Sequence, residues 1–493
     1  MDVLLAHSFF LKNDAKQLEK MRPYPPLGTL YAASHLRKAG FEVALFDAML
    51  SSGIEDFEEL LHRTQPRIVA FHEDQFNFLN KMCLGHSRQA LCNMSSIARK
   101  AGATVIAAGS DVSDHPEVYF DKGVEYVLVG EPDQSIVELV NALSGRSAAA
   151  IDSIAGLALP NGRRTAPRSP ERHPDTFPFP AWDLLDAERY RAAWTGAHGY
   201  FSVNMVSTRG CPFHCNWCAK PIWGQRYAMR SPANVAEEMA LVKSVLNPDH
   251  LWFADDIFGL QPKWVAEFAR EVAARDASMP FMIQSRVDLM TDQAIEGLAK
   301  AGCSEVWLGA ESGSQRILDA MDKGTRVEDI AVVREKLGRA GIRACFFIQF
   351  GYPGETMDDI MSTVRMVRET LPDDIGVSVS NPLPATRFHE MVKVELGAKD
   401  HWDQSDDLAM MFQGTYQTEF YRALHKLLHR DLLVRHKVRR DGACEEAERE
   451  TRELEQAWCE LSQTEARHRS ENPTSIQKRY DFVPAPDLSR RWN

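Results

Sequence analysis

Over the first 140 or so residues, apolar positions fall into two alternating patterns. Val3-Leu4-Leu5-Ala6, Arg67-Ile68-Val69-Ala70-Phe71, Thr104-Val105-Ile106-Ala107-Ala108 and Tyr126-Val127-Leu128-Val129 are continuous apolar runs of strand length. Between them, around residues 29–38, 57–62 and 79–101, apolar side chains return every three or four positions, the spacing of a helix with one buried face. Gly40 closes the first of these helices, and residues 41–46 supply a further strand. Strands alternating with helices predict an α/β fold, a Rossmann-like open parallel sheet whose ligands settle at the carboxyl ends of the strands. Those ends carry Phe71-His72-Glu73-Asp74, Gly109-Ser110-Asp111 and Gly130-Glu131-Pro132.

From residue 201 the alternation resumes with a longer repeat. Strands are expected over 201–207, 250–253, 281–283, 305–308, 345–350 and 376–380, with helices over 233–245, 262–275, 291–301, 327–340 and 357–370. Six such strands predict a partial (β/α)6 TIM-like barrel with its chemistry at the carboxyl ends. Residues 146–200, rich in Pro and Arg, are expected to connect the sheet (1–145) to the barrel (201–388), with Pro178-Phe179-Pro180-Ala181-Trp182 packed rather than free. Residues 389–493 form a helical C-terminal region, amphipathic over 421–435, highly charged over 445–469, and poorly ordered after Asn472.

Composition narrows the function. Lys and Arg number 57 against 69 Asp and Glu, a net charge of −12, which is the wrong sign for a nucleic-acid binder. The basic run Arg435-His436-Lys437-Val438-Arg439-Arg440 is accounted for by a solvated helix face. The N-terminus has no cationic start before a long apolar run, and no stretch reaches the ~20 apolar residues of a membrane span. Of nine cysteines, all but one tight triplet are scattered, so a reducing, cytoplasmic setting is expected rather than a disulfide framework.

That triplet, Cys211, Cys215 and Cys218, follows the first barrel strand in Thr208-Arg209-Gly210-Cys211-Pro212-Phe213-His214-Cys215-Asn216-Trp217-Cys218. Three thiolates spaced CxxxCxxC on one loop can hold three corners of a [4Fe–4S] cubane and leave one iron open. The competing readings are a zinc site, which wants a fourth Cys or His at recognisable spacing, and buried structural cysteines. His214 lies within the loop, but no second cysteine pair follows.

CxxxCxxC after the first strand of a six-unit half barrel resembles the radical S-adenosylmethionine superfamily. Further segments match in order: Phe253-Ala254-Asp255-Asp256-Ile257-Phe258, Ser285-Arg286-Val287-Asp288, Gly309-Ala310-Glu311-Ser312-Gly313, Ile348-Gln349-Phe350-Gly351-Tyr352-Pro353-Gly354-Glu355-Thr356, and Asn381-Pro382-Leu383-Pro384-Ala385-Thr386. The resemblance implies that Asp255, Asp256, Arg286, Glu311, Ser312, Gly351 and Glu355 surround S-adenosylmethionine. Taken singly, Asp255 and Asp256 could cap a helix, Arg286 could be a salt-bridged surface group, and Glu311 an ordinary strand-end carboxylate.

The sheet before the barrel, with Pro25-Pro26-Leu27-Gly28 and the late Gly130-Glu131, resembles the cobalamin-binding domains of class B radical enzymes, within the anaerobic magnesium-protoporphyrin ester cyclase-like group. It implies cobalamin beside His72, Gly109, Ser110, Gly130 and Glu131. The Asp-x-His-x-x-Gly loop that supplies a histidine to cobalt elsewhere is absent, as is usual in this group, and the usual Gly-Gly-Pro-His-like turn is replaced by Gly109-Ser110-Asp111-Val112. Lys81, Met82, Cys83, His86, Arg88 and Cys92 fall on a segment read as a capped amphipathic helix, with a site lining as the alternative, Cys303 and Cys345 in the barrel core, and Cys444 and Cys459 in the charged tail. Trp402, Phe412, Tyr416, Phe420 and Tyr421 are expected to pack the tail onto the barrel.

By resemblance, the reduced cluster cleaves S-adenosylmethionine to a 5′-deoxyadenosyl radical, and methylcobalamin methylates the substrate carbon from which that radical takes hydrogen. The substrate is a small molecule, and electrons come from an external donor such as flavodoxin or ferredoxin. No side chain is assigned as a catalytic acid or base. A radical cyclase, oxidase or rearrangement enzyme without methyl transfer, and a non-catalytic cobalamin or iron–sulfur sensor, are the alternatives.

Overall fold

The computed structural model describes residues 1–77, 84–220, 222–384, 386–396, 408–442 and 445–474. Its first sheet has seven strands in the order β2-β1-β3-β4-β5-β6-β7: β1 Val3–Ala6, β2 Val43–Phe46, β3 Ile68–His72, β4 Thr104–Ala108, β5 Tyr126–Leu128, β6 Leu157–Leu159 and β7 Arg163–Arg164. The first five are parallel and the last two antiparallel. Val69 and Phe71 point to one buried layer, Ile68 and Ala70 to another. A sheet covered on both faces explains why its strands are unbroken apolar runs. The strand order reverses between β1 and β3, which opens a crevice at their carboxyl ends.

The stretch expected to connect sheet and barrel therefore also extends the sheet. β6 and β7 are three and two residues long and leave no periodic trace. The same stretch holds a helix, Ala187–His198, with Tyr190 and Trp194 buried. Trp182 is buried, as expected of a packed segment.

The second sheet is an all-parallel half barrel in sequential order: β8 Ser202–Met205, β11 His250–Phe253, β12 Phe281–Ser285, β13 Cys303–Glu311, β14 Arg343–Phe350 and β15 Asp374–Val379. Helices Pro232–Leu246, Pro262–Ala274, Asp292–Ala301, Val327–Arg339 and Met357–Thr370 alternate with its strands. The last begins with a capping box in which Thr356 and Asp359 satisfy each other's backbone amides. It buries Ile360, Val364, Met366 and Val367, each contributing about 1.5–3 kcal/mol. A two-stranded ribbon, β9 Thr208–Arg209 with β10 Ala228–Met229, brackets the cysteine loop.

Helices Thr418–Asp441 and Glu445–His468 form an antiparallel pair against the barrel. Phe412, Tyr416, Phe420 and Tyr421 are buried in the same core as the barrel strands, as expected of a tail packed on it. Asp431 ties the pair together, accepting from Trp458 Nε1 at 2.8 Å and from Arg368 Nε at 2.7 Å. Lys81, Met82, Cys83, Ala385, Trp402, Cys444 and the stretch beyond residue 474 lie outside the described residues. Among those described, no helix is long and apolar enough to cross a membrane.

Candidate active site

The cysteine loop leaves β9 through Gly210, whose φ of +78° is left-handed and where a Cβ would overlap the carbonyl oxygen of Arg226. All three thiols are free, Cys211 buried and Cys215 and Cys218 half-buried. Burial, reinforced by Asp256, pushes Cys218 up to about 12 and raises Cys211 as well. Asn216, in the middle of the loop, fastens it to three later segments. Its amide donates to Met321 O at 3.0 Å and its Nδ2 to Ala320 O at 2.7 Å. Its Oδ1 accepts from the Tyr352 hydroxyl at 3.0 Å, and its carbonyl from Phe388 N at 3.0 Å. Among the described residues no three His, Cys, Asp or Glu side chains close on a single metal ion, the loop cysteines included.

The residues expected around S-adenosylmethionine all sit at barrel strand ends, but they do different things there. Asp255 follows β11 and accepts from Ser207 N (2.8 Å), Ser207 Oγ (2.6 Å) and Thr208 N (2.8 Å), so it braces the entry to the cysteine loop. Burial still pushes it up to about 6. Asp256, its neighbour, is exposed. Arg286 is buried and its Nη1 lies 3.7 Å from Cys215 Sγ. Glu311 ends β13 at a register shift with φ of +59°, a conformation unusual for a non-glycine residue. There its Oε1 accepts from Lys323 Nζ at 2.8 Å, both groups buried. A Cβ on Gly309 would come 2.8 Å from that same oxygen, so this pair needs glycine beneath it.

Ser312 turns outward to the helix layer, its hydroxyl 3.1 Å from Thr363 Oγ1. Gly351, after β14, has φ of +75° and donates to Glu355 Oε2 at 2.6 Å. Glu355 is fully buried with Oε1 lacking a hydrogen-bond partner among the described residues, and burial pushes it up to about 8. Met410 and Tyr421 of the C-terminal region close over Gly351, within 3.0 Å and 3.2 Å of where a Cβ would stand.

At the ends of the first sheet, His72 is 1% exposed and neither ring nitrogen finds a partner among the described residues, nor do Glu73 Oε1 and Gln75 Nε2. Burial holds His72 down at about 4 and pushes Glu73 up to about 7. Gly109 follows β4 with φ of +150°, and a Cβ there would stand 2.8 Å from the Cβ of Glu73. Ser110 starts the short helix Ser110–Asp114, and Gly130 leaves β5 with φ of +77°. Glu131 is engaged within the protein. It accepts from Arg209 Nη1 at 2.7 Å, Trp223 Nε1 at 3.0 Å and Glu171 N at 2.7 Å.

Arg209 joins the two halves. Besides Glu131 it donates to Asp133 at 2.7 Å, and the rings of Phe177, Tyr31, Phe76 and Trp223 surround its guanidinium at 4.4–5.9 Å. Two residues before Cys211, this cation fixes the cysteine loop to the carboxyl end of β5.

Residues 205–367 match the Radical SAM superfamily profile. The barrel is a radical SAM domain. Among curated proteins, an uncharacterized methyltransferase of Pyrococcus horikoshii is 26% identical over 379 residues, covering 74% of this chain and 78% of its own. The anaerobic magnesium-protoporphyrin IX monomethyl ester cyclase of Rubrivivax gelatinosus is 26% identical, covering 76% of this chain and 67% of its own. The solved radical S-adenosylmethionine methyltransferase TsrM of Kitasatospora setae, with cobalamin and a [4Fe–4S] cluster bound, superposes with a TM-score of 0.64 at 20% identity, covering 81% of this chain and 76% of its own. The cobalamin-dependent radical enzyme OxsB superposes at 0.63 with 17% identity, covering 79% of this chain and 54% of its own. These structural likenesses are likenesses of fold, and they extend beyond the radical SAM barrel into the first sheet.

Sequence reasoning overlooked Arg209, Asp133, Trp223, Asn216 and Lys323. Arg209 and Asn216 stood inside or beside the quoted cysteine motif, but nothing local marks a partner 78 positions away, as Glu131 is from Arg209. Lys323 lies in a loop that no periodicity reaches.

Proposed function

We propose that this chain is a cobalamin-dependent radical S-adenosylmethionine enzyme that C-methylates an unactivated carbon of a small molecule. The observation that carries the reading is the cysteine loop: three free thiols on one turn, held by Asn216 to the radical SAM barrel and by Arg209 to the strand ends of a second α/β sheet. The donors present suit each cofactor. Cys211, Cys215 and Cys218 would hold the cluster, leaving one iron for S-adenosylmethionine. Asp256, Glu311 and Gly351, each at the end of a barrel strand, are the groups that would face that cofactor. The orphaned polar atoms of His72, Glu73 and Gln75, with the Gly109-Ser110 turn and Gly130, offer hydrogen bonds to a polar ligand such as cobalamin at the sheet's switch point.

When bound, the cluster supplies the electron that cleaves S-adenosylmethionine, and cobalamin carries the methyl group. The chain's own contribution is placement and shielding. Asp255 and Asn216 fix the loop, Lys323 orients the Glu311 carboxylate, and Met410 and Tyr421 close the C-terminal region over the Gly351 turn, away from water. Reduction calls for an external donor of the flavodoxin or ferredoxin type, and a cytoplasmic setting fits the free thiols.

The deciding experiment is anaerobic reconstitution with iron, sulfide and cobalamin, followed by product analysis with S-adenosylmethionine and reductant. S-adenosylhomocysteine formed together with 5′-deoxyadenosine supports methylation. 5′-Deoxyadenosine alone favours a cyclase, oxidase or rearrangement, and no cleavage at all favours a sensor. A Cys211→Ala chain that still assembled its cluster and cleaved S-adenosylmethionine would refute the reading.

A further inference from the structure

We infer that Arg286 sets the reduction potential of the cluster by donating a hydrogen bond, and presenting a fixed positive charge, to the sulfur of Cys215. This rests on the reading that the three loop cysteines hold the cluster. It gives Arg286 a different role from the S-adenosylmethionine contact that its place after β12 implied.

The geometry leaves the guanidinium little freedom. Nε donates to Asp288 Oδ1 at 2.9 Å, and Nη2 to Asp288 Oδ2 at 3.0 Å and to Lys323 O at 2.7 Å. Its flat face lies 3.8 Å from the centre of the Phe213 ring, itself part of the cysteine loop. With Nε and Nη2 so engaged, Nη1 is the donor that remains, and it stands 3.7 Å from Cys215 Sγ. A planar fork held on a carboxylate, a carbonyl and a ring cannot swing to a soluble ligand without breaking those contacts. The side chain is 7% exposed, so water screens its charge weakly.

The three sulfurs differ in this respect. Cys211 and Cys218 face the Asp256 carboxylate and, partly offsetting it, the half-buried Lys220 ammonium; Cys211 also accepts from the Phe213 amide, and Cys218 lies 3.9 Å from the Ala219 carbonyl. Lys323, the other buried cation nearby, is engaged with Glu311. Reducing a cluster adds negative charge, much of it on its sulfurs. An N–H donor and a buried cation at one of them favour the reduced form and raise the potential. Asp288, paired with the guanidinium, pulls the other way.

The test is a potentiometric titration of the reconstituted cluster, followed by electron paramagnetic resonance in the absence of S-adenosylmethionine. Arg286→Gln should keep the wild-type iron content and lower the potential. At a fixed applied potential its reduced-to-oxidised ratio should fall about tenfold, which for one electron is about 59 mV. Arg286→Lys, retaining charge without the fork, should shift the same way by less. Asp288→Asn should shift the opposite way, a sign that a merely structural role for Arg286 does not produce. If Arg286→Gln loses its cluster, the Lys and Asn variants carry the test. Iron-replete variants whose ratios stay within about twofold of wild type would overturn the inference and leave the cluster reading intact. A wild-type chain that binds no cluster would overturn both.

Discussion

Arg209 offers the sharpest test of how the two sheets are joined. It is 4% exposed, and the carboxylates it bridges, Glu131 and Asp133, are 4% and 0% exposed. Replacing it with Met keeps most of the apolar stem among the four rings and removes the charge. The two acids then lose their common partner, unequally. Glu131 keeps donors from Glu171 N and Trp223 Nε1, whereas Asp133 is left with His35 Nε2 at 3.7 Å. Breaking a buried ion pair from one side costs about 3–5 kcal/mol, because the surviving charge stays buried and uncompensated. The Asp133 deficit places Arg209→Met within that range. The triple variant Arg209→Met, Glu131→Gln, Asp133→Asn removes both stranded charges and should recover at least half of the loss. The assay is urea unfolding of the cofactor-free protein near neutral pH, comparing wild type, single and triple variants in transition midpoint and slope. A single variant that loses less than about 1 kcal/mol, or a triple variant less stable than the single, would refute the argument that Arg209 is the compensating charge.

Other consequences can be checked alongside. Glu355 titrates near 8 in the fold against 4.5 when exposed, so the native state keeps its proton where the unfolded state has lost it. That contribution is complete below pH 4.5 and disappears as pH rises through 8. Relative to Glu355→Gln, the wild type should therefore lose a few kcal/mol across that window, at about 1.4 kcal/mol per unit, and parallel stability–pH curves would contradict it. Gly210→Ala must hold φ near +78° and clear the Arg226 carbonyl. It should lose about 1–2 kcal/mol from the backbone alone and take up less iron, with all three cysteines still present. Gly109→Ala pushes on the Glu73 side chain at the end of the first sheet and should weaken cobalamin retention at unchanged iron content, measured by absorbance after gel filtration.

The strongly periodic elements were legible from the chain alone. The expected spans of β11 and of the helix Met357–Thr370 coincide with the observed ones, because each is a dense apolar pattern bounded by a turn or a cap. β6 and β7 were not legible. Two or three residues cannot show a period, and exposed Arg163 and Arg164 give β7 no buried face. The site divides the same way. The cysteines declare themselves by spacing, whereas what holds them comes from pairings such as Arg209 with Asp133 and Tyr352 with Asn216, 76 and 136 positions apart. Ser312 lies in a recognisable motif, yet its hydroxyl partner Thr363, 51 positions away in the helix layer, is not announced by that motif.

Glu131 shows why those long-range pairings matter for function. It ends the first sheet where a ligand of that sheet would lie, and its carboxylate is shared between Arg209, just ahead of the cysteines, and Trp223, just behind them. Trp223 in turn stacks on Phe76, beyond the end of β3, with ring centroids 5.2 Å apart and planes inclined by 24°. The cysteine loop is thus gripped on both flanks by the ends of β3 and β5, while Asn216 holds its centre to the barrel. A close-packed interior transmits displacement, so a group bound at the first sheet's strand ends cannot move Phe76 or Glu131 without moving the loop. The arrangement fixes the two proposed cofactor sites relative to one another through protein contacts, independently of any substrate. The buried charge of Glu131 orients both flanks of the loop: an apolar residue in its place would leave Arg209 with Asp133 alone and take the acceptor from Trp223 Nε1.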